Sequence, residues 1–313
     1  MEFRARIIEE GDVEIDASLP DLVPDETDAA TPVVPSELLL PGVTDADGSE
    51  ALETLELIIA GLPAGSDESS LSFVPPQGAG VSFATDAATG ATTLTVTLTA
   101  ATAGDVLAAY QSLALFLPAD FSTANRSDLS DGSTTLPLTL TLNVQTDEDQ
   151  DPNSDTPTDG TATATRVVEI DATEDITLDA PQLLLTAEDD GVPDSDRGVN
   201  VDLQIEIDIT DQDGSETANI ADPRFAATVR VDFAGLPAGT TASTGALDVA
   251  AGLWTGSVAQ AEALILSLPG DYNGVILHAI TVTTPEGSES TLQSIIPLPT
   301  PDIIIDGTVI TAE

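Results

Sequence analysis

Strict alternation of polar and aliphatic residues is the feature that most limits what this chain can fold into. The stretches 93–99, 138–144 and 201–209 each place an aliphatic side chain at every second position. A period of two puts these side chains on one face of a β-strand and the polar ones on the other. Half-buried strands of this kind are typical of antiparallel sheets, and many short strands separated by Gly, Pro, Asp and Ser turns indicate β-sandwiches. The sequence therefore predicts an all-β protein built from antiparallel β-sandwich domains.

Helical signal is weak by comparison. The best candidates are residues 104–109 and 257–261, which are each about one helical turn long and precede a strand-like stretch. We expect two short helices at these positions within the β-sandwiches.

Three sequence markers occur twice in the same order, which indicates a tandem duplication. The markers are D-A-D-G-S-E at 45–50 and D-Q-D-G-S-E at 211–216, G-L-P-A-G at 61–65 and 235–239, and L-P-A-D-F at 117–121 and L-P-G-D-Y at 268–272. The loops between the markers differ in length while the order is kept. We therefore predict two tandem domains, residues 1–170 and 171–313, joined by the acidic linker 171–175.

The ends of the chain do not resemble natural ends of a protein. Residues 1–12 contain a strand-like stretch similar to 161–170, as if they finished a preceding repeat, and they lack the apolar run of a signal peptide. The last residues are still strand-like. We expect the chain to be part of a longer protein whose export signal lies outside it.

The charge balance excludes several classes of function. The chain has 55 acidic residues against 7 basic ones, and its net charge is −48. Nucleic-acid binding and attachment to anionic membranes both need a positive surface, so neither is expected. No apolar run is long enough to span a membrane, so we expect no membrane insertion. Since hydrophobic residues make up 41% of the chain, it can nevertheless build folded cores.

The chain contains no Cys and only one His, His278. Disulfides, thiolate metal sites and His-rich zinc or copper sites are therefore excluded. Carboxylates and carbonyls remain as the available ligands, and these are the oxygen ligands that Ca²⁺ prefers. Calcium is accordingly the cofactor that the composition favours.

The two D-x-D-G-S-E loops are the strongest candidates for calcium sites. A glycine after the second Asp permits a tight turn that brings the three carboxylates together, and two carboxylates about 4 Å apart repel by about 4 kcal/mol at an effective dielectric constant of ~20. A calcium ion reverses the sign of this interaction. The spacing is not that of an EF-hand, and a solvated turn is the alternative interpretation. The predicted ligands are Asp45, Asp47 and Glu50 in the first loop and Asp211, Asp213 and Glu216 in the second.

Three further acidic clusters are candidates for cation binding, although runs of charge are more often simply solvated. They are Asp147, Asp149 and Asp151, followed by Asn153 and Asp155; Asp189, Asp190, Asp194 and Asp196; and Asp171, Glu174 and Asp175 in the linker. A cation bound in the linker would fix the angle between the domains.

On the three repeated markers the chain resembles the tandem extender repeats of large bacterial RTX-type surface adhesins. The resemblance covers roughly residues 40–150 and 180–285. It implies cadherin-like or immunoglobulin-like β-sandwich modules that bind calcium in acidic loops and between domains, contact neighbouring repeats of the same chain, and are exported by type I secretion. Such modules space a ligand-binding tip from the bacterial cell surface, so a host or surface ligand would be reached through other parts of the parent protein.

The sequence contains no nucleophile elbow, phosphate-binding glycine loop or His-bearing metal motif, and we expect no enzymatic activity. The favoured function is that of a calcium-binding, rigidifying spacer of an extracellular adhesin. Two alternatives stay open. The long insertions would suit a saccharide- or peptide-binding module of the same adhesin, and the lysine-free acidic composition would suit a halophile surface-layer protein.

Overall fold

The computed structural model confirms the predicted all-β class. It describes residues 13–17, 32–43, 51–68, 72–73, 78–103, 105–147, 160–187, 198–211, 214–218 and 221–299. Tertiary contacts divide the chain into two compact units, Met1–Thr173 with Gln212–Gly214, and Glu174–Asp211 with Ser215–Glu313. Within the described ranges, no helix has the length and apolar character needed to cross a membrane.

The described residues of the first unit form ten short or medium strands and three short helical segments. The strands are β1 Val13–Asp16, β2 Pro32–Val33, β3 Leu40–Val43, β4 Ala51–Leu62, β5 Ser72–Phe73, β6 Gly80–Thr85, β7 Thr92–Thr99, β8 Leu115–Phe116, β9 Leu138–Asp147 and β10 Thr161–Val168. The helical segments are a 3-10 turn at Pro35–Glu37, α1 Ala100–Ala103 and α2 Val106–Gln111.

One five-stranded antiparallel sheet, in the order β10-β9-β4-β7-β6, dominates the first unit. Two smaller sheets, β2-β8-β5 and β1-β3, complete it. The aliphatic positions of the alternating strands form the core: Leu57 in β4, Val96 in β7 and Leu140 in β9 are fully buried, while the intervening threonines of β7 remain partly accessible. The period-two pattern therefore separates the core face of the sheet from its outer face, as the sequence predicts.

The second unit contains the remaining strands and a single described α-helix. The strands are β11 Ile176–Asp179, β12 Leu183–Ala187, β13 Asn200–Asp202, β14 Glu206–Ile209, β15 Thr228–Ala234, β16 Thr241–Ala242, β17 Ala246–Asp248, β18 Leu253–Ser257, β19 Ile265–Ser267, β20 Ile276–Thr283 and β21 Ser288–Leu298. The helix is α3 Val258–Glu262.

A six-stranded sheet, in the order β12-β21-β20-β15-β18-β17, forms the larger layer of the second unit. Its pairings are antiparallel except for the parallel pairing of β12 with β21. The smaller sheets are β13-β19-β16 and β11-β14. Trp254 of β18 is fully buried in the core, and its indole N–H donates to the carbonyl of Thr244 at 2.6 Å. Gly245 accommodates the ring, because a Cβ there would lie 2.4 Å from it.

Two of the repeated sequence markers, the G-L-P-A-G and L-P-x-D-F/Y turns, have matching backbone conformations in the two units. Gly61 and Gly235, the first residues of the G-L-P-A-G turns, have φ angles of 90° and 87°. Asp120 and Asp271, in the L-P-x-D-F/Y turns, have φ angles of 56° and 61°. Left-handed backbone is uncommon outside glycine, so its recurrence at equivalent positions indicates that the two units share the same turn geometry.

Each unit satisfies the carbonyl of its first G-L-P-A-G glycine with a different side chain. In the second unit the hydroxyl of Tyr272 donates to the carbonyl of Gly235 at 2.6 Å. In the first unit Nη1 of Arg126 donates to the carbonyl of Gly61 at 2.6 Å. The same acceptor is thus retained, buried in the first unit and exposed in the second, while its donor differs between the units.

Both short helices predicted from the sequence are present, shifted by one or two residues. Asp105 caps α2 by accepting a hydrogen bond from the N–H of Ala108 at 2.9 Å. Ser257 and Gln260 form a reciprocal capping box at the start of α3. Capping of the free N–H groups allows helices this short to persist within a β-fold.

Candidate functional site

A buried carboxylate in the second D-x-D-G-S-E loop is the centre of the candidate site. Glu216 is only 3% exposed. Its Oε2 accepts a hydrogen bond from the backbone N–H of Asp175 at 3.1 Å, and its Oε1 accepts one from the hydroxyl of Thr284. The loop is closed locally, because the N–H of Glu216 donates to Oδ2 of Asp211 at 2.7 Å.

Further carboxylates surround Glu216. Burial raises its pKa above the ordinary value, the negative charges of Asp211 and Glu174 raise it further, and the hydrogen bonds from Thr284 and Asp175 only partly oppose these effects. The described charged groups that act on Glu216 are therefore of the same sign as its own. Buried carboxylates that face other carboxylates favour either protonation or a bound cation.

The hairpin between β20 and β21 supplies the remaining wall of the site. The hydroxyl of Thr284 accepts hydrogen bonds from the N–H groups of Glu286 and Gly287 at 3.3 and 3.2 Å, and the N–H of Thr284 donates to the carbonyl of Gly287 at 2.9 Å. Glu174 lies across this turn, since a Cβ on Gly287 would be 2.6 Å from Oε2 of Glu174. Glycine at 287 therefore makes room for the linker carboxylate.

The first unit closes its equivalent hairpin in the same way. The N–H of Thr146 donates to the carbonyl of Gly160 at 3.0 Å, and the N–H of Gly160 donates to the hydroxyl of Thr146 at 3.1 Å. Thr146 and Gly160 thus correspond to Thr284 and Gly287. The acidic segment that begins at Asp147 is inserted between them, at the hairpin that carries the candidate site in the second unit.

The structure brings together residues that the sequence assigns to two separate clusters. Asp211 and Glu216 of the loop lie with Glu174 and Asp175 of the linker in the second unit, where Asp175 contributes its backbone N–H. Asp171 is exposed and belongs to the first unit, so it is not part of this grouping. Thr284 and the turn 284–287 are contacts that the sequence does not predict. The only local signal for them is the T-P-E-G turn composition between two alternating strands.

Of the other predicted ligands, Asp147 is the last residue of β9. The remaining predicted positions, listed here, lie outside the described residues: Asp45, Asp47, Glu50, Asp149, Asp151, Asp189, Asp190, Asp194, Asp196 and Asp213. Among the residues that the structure does describe, no three acidic or histidine side chains converge closely enough to hold a metal ion.

The lone histidine is a core residue of the second unit. His278 is 2% exposed, its ring lies 5.2 Å from that of Phe233, and its Nε2 lies 2.5 Å from Oε1 of Gln293. The amide nitrogen of Gln293 donates to the carbonyl of Leu203 at 3.0 Å, which leaves Oε1 to accept from the histidine. His278 therefore links the strands of the core as a neutral ring.

Comparisons with known proteins give structural likeness alone. No family model matches the chain, and no curated protein matches it. Among solved structures it is similar to the titin domains Z1Z2 in complex with telethonin, with a TM-score of 0.32, 11% identity, and coverage of 93% of this chain and 99% of that one. It is also similar to the C-terminal domain of the AgI/II polypeptide BspA of Streptococcus agalactiae, with a TM-score of 0.21, 6% identity, and coverage of 91% and 99%.

A third similar structure is the C-terminal domain of the antigen I/II-family protein AspA of Streptococcus pyogenes, with a TM-score of 0.21, 9% identity, and coverage of 92% and 99%. These proteins are of the immunoglobulin-like or β-sandwich kind. At such TM-scores and identities the likeness carries no argument about function. The class that the fold itself defines is an all-β protein of two units with repeated turn geometry.

Proposed function

We propose that this chain is a non-enzymatic, calcium-binding structural region of a secreted bacterial surface adhesin of the RTX type. In this proposal its tandem β-sandwiches act outside the cell as a spacer between the bacterial surface and a ligand-binding region elsewhere in the parent protein. The observation that carries the proposal is the buried carboxylate of Glu216, which faces the carboxylates of Asp211 and Glu174. A divalent cation would convert their mutual repulsion into attraction.

The available ligands fit calcium by their chemistry. Asp211, Glu216 and Glu174 offer hard oxygen donors, which a bound cation would have to draw closer together than they lie in this structure. Calcium takes six to eight such donors in flexible geometry. Glu174 begins the second unit, and Asp211 and Glu216 are the first and last residues of its D-x-D-G-S-E loop. A cation held by these groups would therefore tie the linker to the loop. In the parent protein this would stiffen the start of the second unit, as the role of a spacer requires.

Calcium is expected to raise the melting temperature of the second unit in the full chain. At a calcium concentration about 100 times the dissociation constant, the added stability would be about 2.7 kcal/mol per site. Fluorescence of Trp254, the single tryptophan of the chain, measures unfolding of this unit specifically. Melting curves recorded in calcium, in magnesium and in a chelator provide the test. Equal midpoints in calcium and in chelator would contradict the proposal.

Glu216→Gln is expected to abolish the calcium-dependent rise in melting temperature. In chelator the variant should have nearly the stability of the natural chain, because removal of a buried charge next to two other carboxylates offsets loss of the acceptor for the N–H of Asp175, while the amide oxygen still accepts from Thr284. The matched control is Glu289→Gln, which neutralises an exposed acid on β21 and should retain the full response to calcium. An unchanged calcium response in Glu216→Gln would remove this residue from the site.

Sodium or potassium chloride provides a further control for the same measurement. If concentrated monovalent salt stabilised the chain as much as calcium does, screening of its acidic surface would explain the effect without a specific site. Such a result would favour the halophile surface protein over the calcium-binding spacer. Specific calcium binding requires saturation at a defined stoichiometry in a calorimetric titration.

A further inference from the structure

The outer face of the six-stranded sheet in the second unit exposes large aliphatic side chains. Leu292 of β21 is 73% exposed, Leu277 of β20 is 56% exposed, and Leu185 of the neighbouring edge strand β12 is 61% exposed. We name this surface the leucine face. Its members are Leu183, Leu185, Val275, Leu277, Leu292 and Leu298, with Ala234 and Ala279 between them. Contiguous exposed apolar surface of this kind marks an interaction site more often than isolated exposed side chains do.

The leucine face is almost free of net charge, in a chain whose net charge is −48. On the outward positions of the described sheet, Arg230 and Asp232 form an ion pair at 2.6 Å, and Asp248 lies on the far edge strand β17. The other outward positions of β20 and β21 carry Leu, Ala, Ser, Thr or Ile. The dense negative charge of the molecule is therefore interrupted here.

The duplication shows that the leucines are specific to the second unit. Ala60 and Ala234 are equivalent, because each directly precedes the glycine of a G-L-P-A-G turn. Ala60 pairs with Thr139, whereas Ala234 pairs with Leu277.

The same comparison extends to the next strand of each sheet, β10 in the first unit and β21 in the second. Thr141, two residues after Thr139, pairs with Thr165, whereas Ala279, two residues after Leu277, pairs with Leu292. The corresponding positions of the first unit are thus hydroxyl-bearing and are typical of a solvated sheet face. The second unit departs from that pattern at its two most central leucines.

We propose that the leucine face is the contact surface between two copies of this chain. Two copies that approached through most of their surface would bring negative charge against negative charge, while two leucine faces bring neutral apolar surface together. A basic partner would instead bind the acidic surface elsewhere on the chain, because the leucine face lacks the negative charge that would attract it. A symmetric dimer uses the same patch on both copies, so a single neutral face is sufficient to form it.

The dimensions of the face define the strength of the association. The members of the leucine face lie on or next to four strands, β12, β21, β20 and β15. Four strands spaced by about 4.8 Å and about six residues long give roughly 400 Å² of face per copy. The total of roughly 800 Å² is below the standard size of specific interfaces, so the dimer is weak and reversible. A shallow depression of about 510 Å³, lined by Leu277, Ala279, Leu292 and Asp232 among others, provides a recess for side chains of the second copy.

Salt strengthens this association, because repulsion between the remaining charges of the two copies opposes it. The screening length falls from about 10 Å at 0.1 M ionic strength to about 3 Å at 1 M. Apolar contact persists under these conditions while the repulsion decreases. The monomer–dimer equilibrium is therefore expected to shift towards the dimer as sodium chloride is added.

Sedimentation equilibrium of the full chain tests the proposal, with chelator present throughout so that bridging cations do not contribute. The natural chain is expected to approach twice the monomer mass as protein concentration and sodium chloride are raised, with dissociation constants of roughly 10–1,000 µM, as expected of small interfaces. The double variant Leu277→Thr/Leu292→Thr is expected to weaken dimerisation at least about tenfold. It introduces the residues that the first unit carries at the same positions, so the fold tolerates them.

Ile265→Thr is the matched control, because Ile265 is an exposed aliphatic residue of β19 in the smaller sheet, away from the leucine face. It should dimerise as the natural chain does. A chain that remains monomeric at all concentrations and salt levels would overturn the proposal, and the face would then be free for an unlike partner. Equal dimerisation of the double variant and the natural chain would also overturn it, because the contact would then lie elsewhere.

Discussion

Replacing Arg126 by methionine is expected to destabilise the first unit by about 3–5 kcal/mol, the usual cost of removing one partner of a buried ion pair. Arg126 is 2% exposed, and Nη1 and Nη2 donate to the carbonyls of Gly61 and Leu62 at 2.6 and 3.2 Å. Nε and Nη2 donate to the two carboxylate oxygens of Asp128 at 2.7 and 2.6 Å. Methionine fills a similar volume but leaves the two carbonyls and the carboxylate of Asp128 without these donors.

The neighbouring carboxylate increases the expected loss. Although burial alone would raise the pKa of Asp128, hydrogen bonds from Arg126 and from the N–H of Ala64 lower it, so the group remains charged. Without Arg126 this charge would stay half-buried. For a unit of this size the expected fall in melting temperature is roughly 10 °C, measured by far-UV circular dichroism of the full chain.

Arg230→Met is the matched control for this prediction. Arg230 and Asp232 form an ion pair with the same two-residue spacing as Arg126 and Asp128, but both side chains are largely exposed. Solvent already screens the exposed pair, so its loss should change the melting temperature little. Fluorescence of Trp254 reports on the second unit and should be unaffected by Arg126→Met. Equal effects of the two arginine variants would refute the structural role of Arg126.

The second large effect is a loss of stability of the second unit as the pH falls from about 6.5 to about 4. Burial lowers the pKa of His278 to about 4, and its hydrogen bond with Gln293 opposes this effect only in part. In the unfolded chain the ring has its ordinary pKa near 6.5. Above that pH the ring is neutral in both states and stability is complete. Between the two values only the unfolded chain takes up the proton, which costs the folded state about 1.4 kcal/mol per pH unit and roughly 3 kcal/mol in total.

Denaturant titrations followed by Trp254 fluorescence measure this slope directly. His278 is the only histidine of the chain, and the window from pH 6.5 to 5.5 lies above the ordinary titration range of Asp and Glu. His278→Gln supplies a side chain that does not titrate, so the difference in slope between the natural chain and this variant isolates the contribution of His278 from that of Glu216, whose pKa is raised. A slope of the same size in both proteins would show that another group is responsible.

The strands and the duplication could be predicted from the sequence because both depend on neighbouring residues. Alternation in residues 93–99 fixes which side chains of β7 face the core, and the repeated Gly-Leu-Pro-Ala-Gly fixes a left-handed turn in each unit. These signals act over a few residues, where backbone sterics and burial of one strand face dominate.

The candidate site could be predicted only in part. The acidic loop indicates Asp211 and Glu216, and the linker indicates Glu174 and Asp175, but nothing in the sequence shows that they share one place. Thr284, which donates to Glu216, is 68 residues away along the chain. Arg126 was likewise unremarkable in the sequence, although it reaches carbonyls 64 and 65 residues away.

By itself the sequence determined that the chain is all-β, that its halves are repeats, and that oxygen ligands are the ones it can offer a metal. Only the tertiary structure decided which carboxylate is buried, which donors hold it, and which sheet face is left apolar. The physical reason is that strand periodicity is set between adjacent residues, whereas burial and electrostatic coupling depend on which distant strands pair. Strand register alone places Leu277 and Leu292 where the first unit has threonines.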